Sequence, residues 1–367
     1  MDNKKKFWCA FSRLTKTSSA FVNKLYSHFG DIEYSWNADE VELKQVEGVL
    51  KSSISAFINE RKTVTPEECL EFLDKNGIDF LYPDDVRYPY ALRHIENPPI
   101  GLLMKGDINN CNLERTLAVV GSRRASENSK ITLRKILSDF HDSDICIVSG
   151  LAEGIDTVAH RSSVDNNIRT IAVLGGGFNR LYPSSNKGLF DKILEQNGVI
   201  LSEYWVDSEP ISWHFPLRNR IVSGLSKGVL IAEAALKSGA MITAHLALEQ
   251  GKELMCMPGL ISNPNTQGIY KLIKDGATIV TNYQDILDAM NWTLEKSGSK
   301  DKSNKEATVF TPDERKILDC ISKDPLSIDE LVIKTDLNIN DLMVILTKLE
   351  LEGIILRING EKYISVK

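Results

Sequence analysis

The sequence predicts an α/β protein with a doubly wound, mostly parallel sheet between a small N-terminal helical domain and a C-terminal winged-helix domain. Three observations predict this fold class. Short apolar runs alternate with helical stretches in the middle of the chain, apolar residues recur at helical spacing before them, and three helices with a hairpin follow them. The 367 residues leave room for one full α/β domain and one or two smaller ones.

The central domain is predicted at residues 79–290. From Thr116 onward, each apolar run ends near a glycine or a polar turn and is followed by a helical stretch. Continuously apolar strands are covered on both faces, which is typical of an extended Rossmann-like fold. Before them, four prolines indicate an ordered connector with one short strand near Leu102. The seven runs are residues 117–120, 145–148, 170–174, 199–201, 228–232, 253–257 and 277–280.

The two ends of the chain differ from this pattern. Residues 1–78 carry apolar side chains at helical spacing and predict a helical domain. Residues 291–310 are rich in Lys, Ser, Asn and Asp and predict a linker. Thr311, Pro312 and Glu314 then form a helix start, and the hairpin turn at residues 359–360 completes a winged helix over residues 311–367.

Composition narrows the functional classes. The net charge of -6 argues against a protein that coats nucleic acid with its whole surface, so a nucleic-acid site must be a local basic patch. The six cysteines and six histidines are scattered, so we expect reduced thiols, no metal and no cofactor. The first apolar run is too short for a signal sequence or a membrane span, and we expect a cytoplasmic protein.

Glycine turns follow three of the predicted strands. In a parallel sheet these turns meet at one edge, where backbone amides and helix N-termini can face an anion. The repetition favours a phosphate-lined groove, although a glycine after a strand is also a common way for strands to end. The turns, with their polar neighbours, are Gly121-Ser122-Arg123-Arg124, Ser149-Gly150 with Gly154, and Gly175-Gly176-Gly177 with Lys187.

The segment of residues 213–220 combines aromatic and basic side chains. Arg218 and Arg220, with Asn219 between them, could clamp phosphates, and Phe215 could stack on a base. Pro216 predicts an extended backbone at Phe215. The alternative is that Phe215 belongs to the core and that the arginines pair with acids such as Glu203 or Glu233.

Catalytic patterns are weak. Asp156 and His160 stand one helical turn apart, but no nucleophile elbow or phosphate loop surrounds them, and we expect them to fix the fold. Arg180 occupies the last glycine position of a dinucleotide-binding pattern that would begin at Gly175. We therefore expect no enzyme activity.

The ordered motifs between residues 80 and 287 resemble the DNA-processing protein A (DprA/Smf) family. The resemblance rests on Gly121-Ser122-Arg123, residues 149–156, Tyr182-Pro183, residues 214–221, Ser238-Gly239 and Pro258-Gly259. It implies a cytoplasmic protein that binds single-stranded DNA, interacts with the RecA recombinase, supports natural transformation, dimerises through the Rossmann-like domain and has no catalytic turnover. The DNA-contacting residues it implies are Ser122, Arg123, Gly150, Lys187, Phe215, Arg218, Asn219 and Arg220.

Departures from the family and rival functions also follow from the sequence. Residues 15–19 lack the glycine hairpin of the family's sterile-alpha-motif-like region, and His245 and Gln267 replace residues that are often basic there. One rival is a nucleotide sensor or nucleotide hydrolase of the same superfamily, whose glycine series is missing before Glu249. Another is a duplex-reading regulator, but residues 311–367 hold eight Lys plus Arg against eleven Asp plus Glu.

Overall fold

The computed structural model describes residues 4–293, 310–321, 325–351, 354–358 and 362–365. The chain divides into two compact units, Met1–Glu295 and Lys296–Lys367. Most of the predicted linker and the predicted hairpin turn at residues 359–360 lie outside the described residues. The division into an N-terminal, a central and a C-terminal domain remains a prediction.

The first unit is built on a nine-stranded sheet. The strand order is β1-β2-β6-β5-β4-β3-β7-β8-β9, and all pairs from β6 to β9 are parallel. The strands are β1 (Asp79–Leu81), β2 (Leu102–Lys105), β3 (Thr116–Gly121), β4 (Cys146–Ser149), β5 (Arg169–Leu174), β6 (Val199–Ser202), β7 (Gly228–Glu233), β8 (Glu253–Cys256) and β9 (Thr278–Ile279).

The predicted fold class is confirmed: helices cover both faces of a largely parallel sheet. One detail differs, because the connector contributes two strands, β1 and β2, which extend the sheet in antiparallel pairing. Between the strands lie α7 (Glu127–Ser138), α8 (Ile155–Asp165), α9 (Lys187–Glu195), α10 (His214–Leu225), α11 (Gly239–Glu249) and α12 (Gln267–Lys274), and α13 (Tyr283–Met290) follows β9.

The N-terminal helices share one apolar core with the sheet. Trp8 and Phe57 are fully buried in the same cluster as Ala172 and Ile200 of the central strands. Burial of such large rings stabilises the contact by roughly 1.5–3 kcal/mol each. The helices are α1 (Lys5–Arg13), α2 (Ser19–Phe29), α3 (Ile32–Asn37), α4 (Glu40–Leu43), α5 (Lys51–Arg61) and α6 (Pro66–Lys75).

The second unit is a winged helix. Its helices are α14 (Pro312–Ile321), α15 (Ile328–Thr335) and α16 (Ile339–Leu351), and its strands are β10 (Leu326–Ser327), β11 (Ile355–Ile358) and β12 (Lys362–Ser365), in the order β10-β12-β11. The predicted helix start is confirmed, since Glu314 N donates to Thr311 Oγ1 at 3.2 Å and Thr311 N donates to Glu314 Oε2 at 2.7 Å. None of the helices among the described residues combines the length and the apolar character needed to cross a membrane.

Candidate nucleic-acid interface

A groove lies where the strand order of the sheet reverses. β4 flanks β3 on one side and β7 flanks it on the other, and ligands of open α/β sheets bind beyond the carboxyl strand ends at such a point. The cavity there measures about 460 Å³. Its polar walls come from the β3 turn and from the starts of α8, α10 and α11, with Ser122, Arg123, Asp156, Arg218, Asn219, Ser238 and Thr243 among the lining residues.

Two glycine turns interlock at the floor of the groove. Ser122 N donates to Glu233 O at 2.8 Å, and Ile155 N donates to Ser122 O at 3.2 Å. Gly154 has φ 77°, and a Cβ atom there would stand 2.2 Å from Ser122 O. Only glycine fits this approach, so the turns after β3 and β4 are held as one rigid surface.

Glu233 fixes the start of α7 beside the groove. It is fully buried at the end of β7, and its carboxylate accepts hydrogen bonds from Ser126 N, from Ser126 Oγ at 2.6 Å and from Ser129 Oγ at 2.8 Å. The suggested pairing of Glu233 with an arginine of α10 is therefore not what the structure has. This role was missed, because nothing in the sequence links β7 to residues more than 100 positions earlier.

Phe215 lies in a helix and not in the expected extended segment. It is the second residue of α10. Pro216 is compatible with the first turn of this helix, because the N–H that proline lacks would have no intrahelical partner there. The half-buried ring lines the groove, with the Arg123 guanidinium 4.9 Å from its centroid and the Tyr182 ring at 5.8 Å. A Cβ atom at Gly175 would stand 2.8 Å from it. The side chain is thus neither core nor fully free.

Arg218 is buried at the edge of the groove, and its expected phosphate contact stays a prediction. It is 3% exposed, and its guanidinium donates to Gly150 O at 2.7 Å and to Val173 O. Burial lowers its pKa to about 10. A Cβ atom at Gly150 would stand 2.2 Å from this guanidinium, so the glycine makes room for the arginine. Arg218 joins the carboxyl ends of β4 and β5 and presents one wall to the groove.

Arg220 departs from the expected phosphate contact. Its guanidinium donates to both Glu203 carboxylate oxygens, at 2.6 and 2.9 Å, and its Nε donates to Asn97 O at 2.9 Å. Burial alone would lower its pKa, but Glu203 outweighs burial and raises it. The alternative of an ion pair with Glu203 is the arrangement observed, and it leaves Arg220 outside the groove lining.

Asp156 and His160 hold the fold, as predicted. The Asp156 carboxylate accepts from Gly150 N at 3.1 Å and from Ala152 N at 3.4 Å, and burial raises its pKa although Arg218 opposes the shift. His160 Nδ1 lies 2.8 Å from Thr170 Oγ1. Burial, reinforced by the charge of Arg218, lowers the pKa of His160 to about 3. Each group is engaged with its neighbours in the fold.

Of the remaining predicted residues, two line the groove and two lie outside its lining. Ser122 and Asn219 line it, with Asn219 Oδ1 accepting from Arg218 Nε at 3.3 Å. Arg124 is exposed beside it, and Lys187 is exposed at the start of α9, where it pairs with Asp191 at 2.6 Å. Neither belongs to the lining. Sequence reasoning about strand ends missed Ser212, Pro216, Ala240 and Ile242, which also line the groove.

Comparison with known proteins identifies relatives of the whole chain. The family model described as DNA recombination-mediator protein A matches residues 79–291, and the model of the DprA winged helix domain matches residues 301–361. Protein Smf of Synechocystis sp. is 32% identical over 97% of this chain and 98% of its own length. The DNA processing protein DprA of Streptococcus pneumoniae is 40% identical over 54% of this chain and 70% of its own length.

Solved structures agree with the sequence comparisons. The X-ray structure of DNA processing protein A from Streptococcus pneumoniae superposes with a TM-score of 0.65 at 32% identity, over 78% of this chain and 98% of that chain. A structure of the Helicobacter pylori protein, described by its single-stranded DNA binding mode, gives a TM-score of 0.51 at 32% identity, over 58% and 95%. The family match over the central domain, the full-length relative and these superpositions agree, and the chain belongs to the DNA processing protein A (DprA/Smf) family of DNA recombination mediators.

Proposed function

We propose that this chain binds single-stranded DNA in the groove, protects incoming DNA and helps to load the RecA recombinase during natural transformation and recombination in the cytoplasm. One observation carries the binding proposal. Arg123 and Phe215 stand together, guanidinium over ring at 4.9 Å, at the carboxyl edge of the sheet. A cation beside an aromatic ring supplies phosphate attraction and base stacking, the two contacts of sequence-tolerant strand binding.

The groove favours a single strand over a duplex. The Phe215 ring and the polar groups of Ser122, Asn219 and Thr243 line the same cavity. A ring can stack only on a base that is not already stacked in a duplex. The exposed Arg124 and Lys187 lie outside the lining and can meet phosphates as the strand leaves the groove. The description of the Helicobacter pylori relative supports the same ligand class.

We expect the groove to bind its ligand without catalysing a reaction. Asp156, the one carboxylate in its lining, accepts two backbone amides. Both amides bind the Oδ2 atom of Asp156, which holds the carboxylate in a structural position at the turn after β4. The rival nucleotide sensor or nucleotide hydrolase would use the same cavity for a mononucleotide, so competition by free nucleotides distinguishes the two functions.

Homodimerisation through the sheet unit is a further part of the proposal. Exposed apolar side chains in the loop after β8 and in β9 offer a surface for a second copy, with Leu260 62%, Ile261 77% and Ile279 48% exposed. Sedimentation of the wild-type chain and of Ile261→Asp tests this part. A monomer–dimer equilibrium that the substitution shifts to monomer supports it, and a wild-type chain that stays monomeric at all concentrations contradicts it.

Gel shifts with single-stranded DNA, duplex DNA and free nucleotides, each at two salt concentrations, test the function. We expect the tightest binding to single-stranded DNA, weakening as salt rises because bound phosphates release counterions. Adding the recombinase to the complex should then speed filament formation. Release of free base or mononucleotide, abolished by Asp156→Asn or Glu249→Gln, would establish the enzyme alternative instead.

A further inference from the structure

We propose that Trp213 and Leu217 form a second stacking platform for single-stranded DNA, outside the groove, on which the base following those held at Phe215 is placed. We call these two side chains the Trp213 ledge. The inference rests on the proposed function, because it assigns a further contact of the same ligand.

The position of the ledge follows from the geometry of α10. Phe215, Pro216 and Asn219 line the groove. At about 100° per residue, Trp213 and Leu217 share one side of the helix and face largely away from Phe215 and Asn219. Pro216, which also lines the groove, lies only about 60° around the helix from Trp213 and connects the two faces. A strand that passes from the groove over Pro216 therefore reaches the ledge.

The exposure of the ledge is unusual for its side chains. Trp213 is 64% and Leu217 is 53% exposed, whereas Trp8 and Trp36 are 0% and 6% exposed. Tryptophan is on average a highly buried residue, and an exposed apolar cluster beside a binding groove marks a contact surface. The ring of His214 meets the Trp213 ring edge-on at 6.3 Å and stacks on Tyr204 at 3.8 Å, so the base of the ledge is anchored to the loop after β6.

The local charges indicate how the ledge would hold its ligand. The two cations nearest in sequence are both engaged in the fold, Arg218 by the backbone carbonyls of Gly150 and Val173 and Arg220 by Glu203. Binding at the ledge therefore depends on stacking more than on phosphate attraction. An indole face stacks on any base, which suits a protein that must bind strands of any sequence. Continuity with the groove makes a base of the same strand the occupant.

The test uses the full chain and oligothymidylates of increasing length. Trp213→Ala should leave the shortest oligonucleotides that still bind unaffected and weaken longer ones about tenfold, while Trp213→Phe keeps most of the affinity. Tyr90→Ala is the matched control, because Tyr90 is 72% exposed and lines a different cavity, near the amino ends of β3 and β7. It should bind every length as the wild type does.

Fluorescence supplies a second readout. Among the five tryptophans, Trp213 is the exposed one, so it dominates quenching by acrylamide. Long oligonucleotides should protect it, and the protection should vanish in Trp213→Phe. If Phe215→Ala no longer binds DNA while Trp213→Ala has the same affinity as Tyr90→Ala at every length, the proposed role of the Trp213 ledge is contradicted. The proposed DNA site in the groove is then supported. If the wild type binds no single-stranded DNA, the proposed function itself fails.

Discussion

Phe215 combines packing against the fold with a position at the groove, where we propose that it stacks on a base. Its ring rests on Gly175 and remains open to the groove, beside Arg123. Stacking on a base contributes about 1–3 kcal/mol, so Phe215→Ala should weaken single-strand binding roughly ten- to a hundredfold. Equilibrium binding and thermal unfolding of the same sample separate affinity from stability.

Phe140 provides the matched contrast for that measurement. It is fully buried under the sheet, so Phe140→Ala should cost about 3–5 kcal/mol of folding free energy and leave the affinity per folded molecule unchanged. If Phe215→Ala behaves like Phe140→Ala, Phe215 is a core residue and the stacking role must be given up.

Substitution of Arg123 and of Arg220 should have different effects on the salt dependence of DNA binding. Arg123 is exposed at the groove, so Arg123→Ala should reduce the slope of log affinity against log salt by roughly 0.7. Arg220→Ala leaves the Glu203 carboxylate without its cationic partner, and it should cost about 3–5 kcal/mol of stability while the slope stays unchanged. A reduced slope in Arg220→Ala would restore its predicted phosphate contact.

His160 links stability to pH. Burial lowers its native pKa to about 3 from the ordinary 6.5, so the unfolded chain binds a proton first as the pH falls. Its contribution is present above pH 6.5 and is lost as the pH drops toward 3, by at most about 1.4 kcal/mol per pH unit. Urea unfolding from about pH 7 to about pH 5 should therefore show a smaller loss in His160→Gln than in the wild type. Parallel losses would contradict this.

At the scale of elements, the loop that opens α8 depends on one glycine. Gly154→Ala places a methyl group against Ser122 O at a positive φ, and it should lower both stability and DNA affinity because the turns after β3 and β4 must separate. Gly188 in α9 is the matched control. A Cβ atom there meets nothing within 4 Å, so Gly188→Ala should stabilise by about 0.5–1 kcal/mol. Equal unfolding midpoints for the two variants would contradict the close contact between the turns after β3 and β4.

Sequence patterns predicted the elements better than the directions of their side chains. The apolar runs identified all seven parallel strands, because strands buried on both faces leave a continuous signal. The sequence predicts that Arg218 and Arg220 both contact phosphates, because they are only two positions apart. On a helix that spacing turns them about 200° away from each other, so Arg218 enters the sheet edge and Arg220 meets Glu203. Helical geometry thus decided which residues reach the groove.

At the scale of the whole molecule, the groove collects residues that lie far apart in the sequence. Ser122 and Thr243 face the same cavity across 121 positions. The reversal of strand order between β3 and β7 brings them together, and that reversal is a property of the topology. The glycine turns predicted that strand ends meet at a groove and placed Ser122 there, whereas Thr243 was not among the predicted contacts.

The second unit should be dispensable for strand binding. Every residue that lines the groove belongs to Met1–Glu295, and the packing that holds those residues in place lies within the same unit. Residues 296–367 hold 12 Lys plus Arg against 13 Asp plus Glu, so their removal takes away a net charge of only -1 and no basic patch that would attract DNA. A chain ending at Glu295 should bind single-stranded DNA at least as tightly as the full chain at low salt, and equally at high salt. Binding that weakens on truncation, at both salt concentrations and with the unfolding transition preserved, would show that the winged helix contacts the strand.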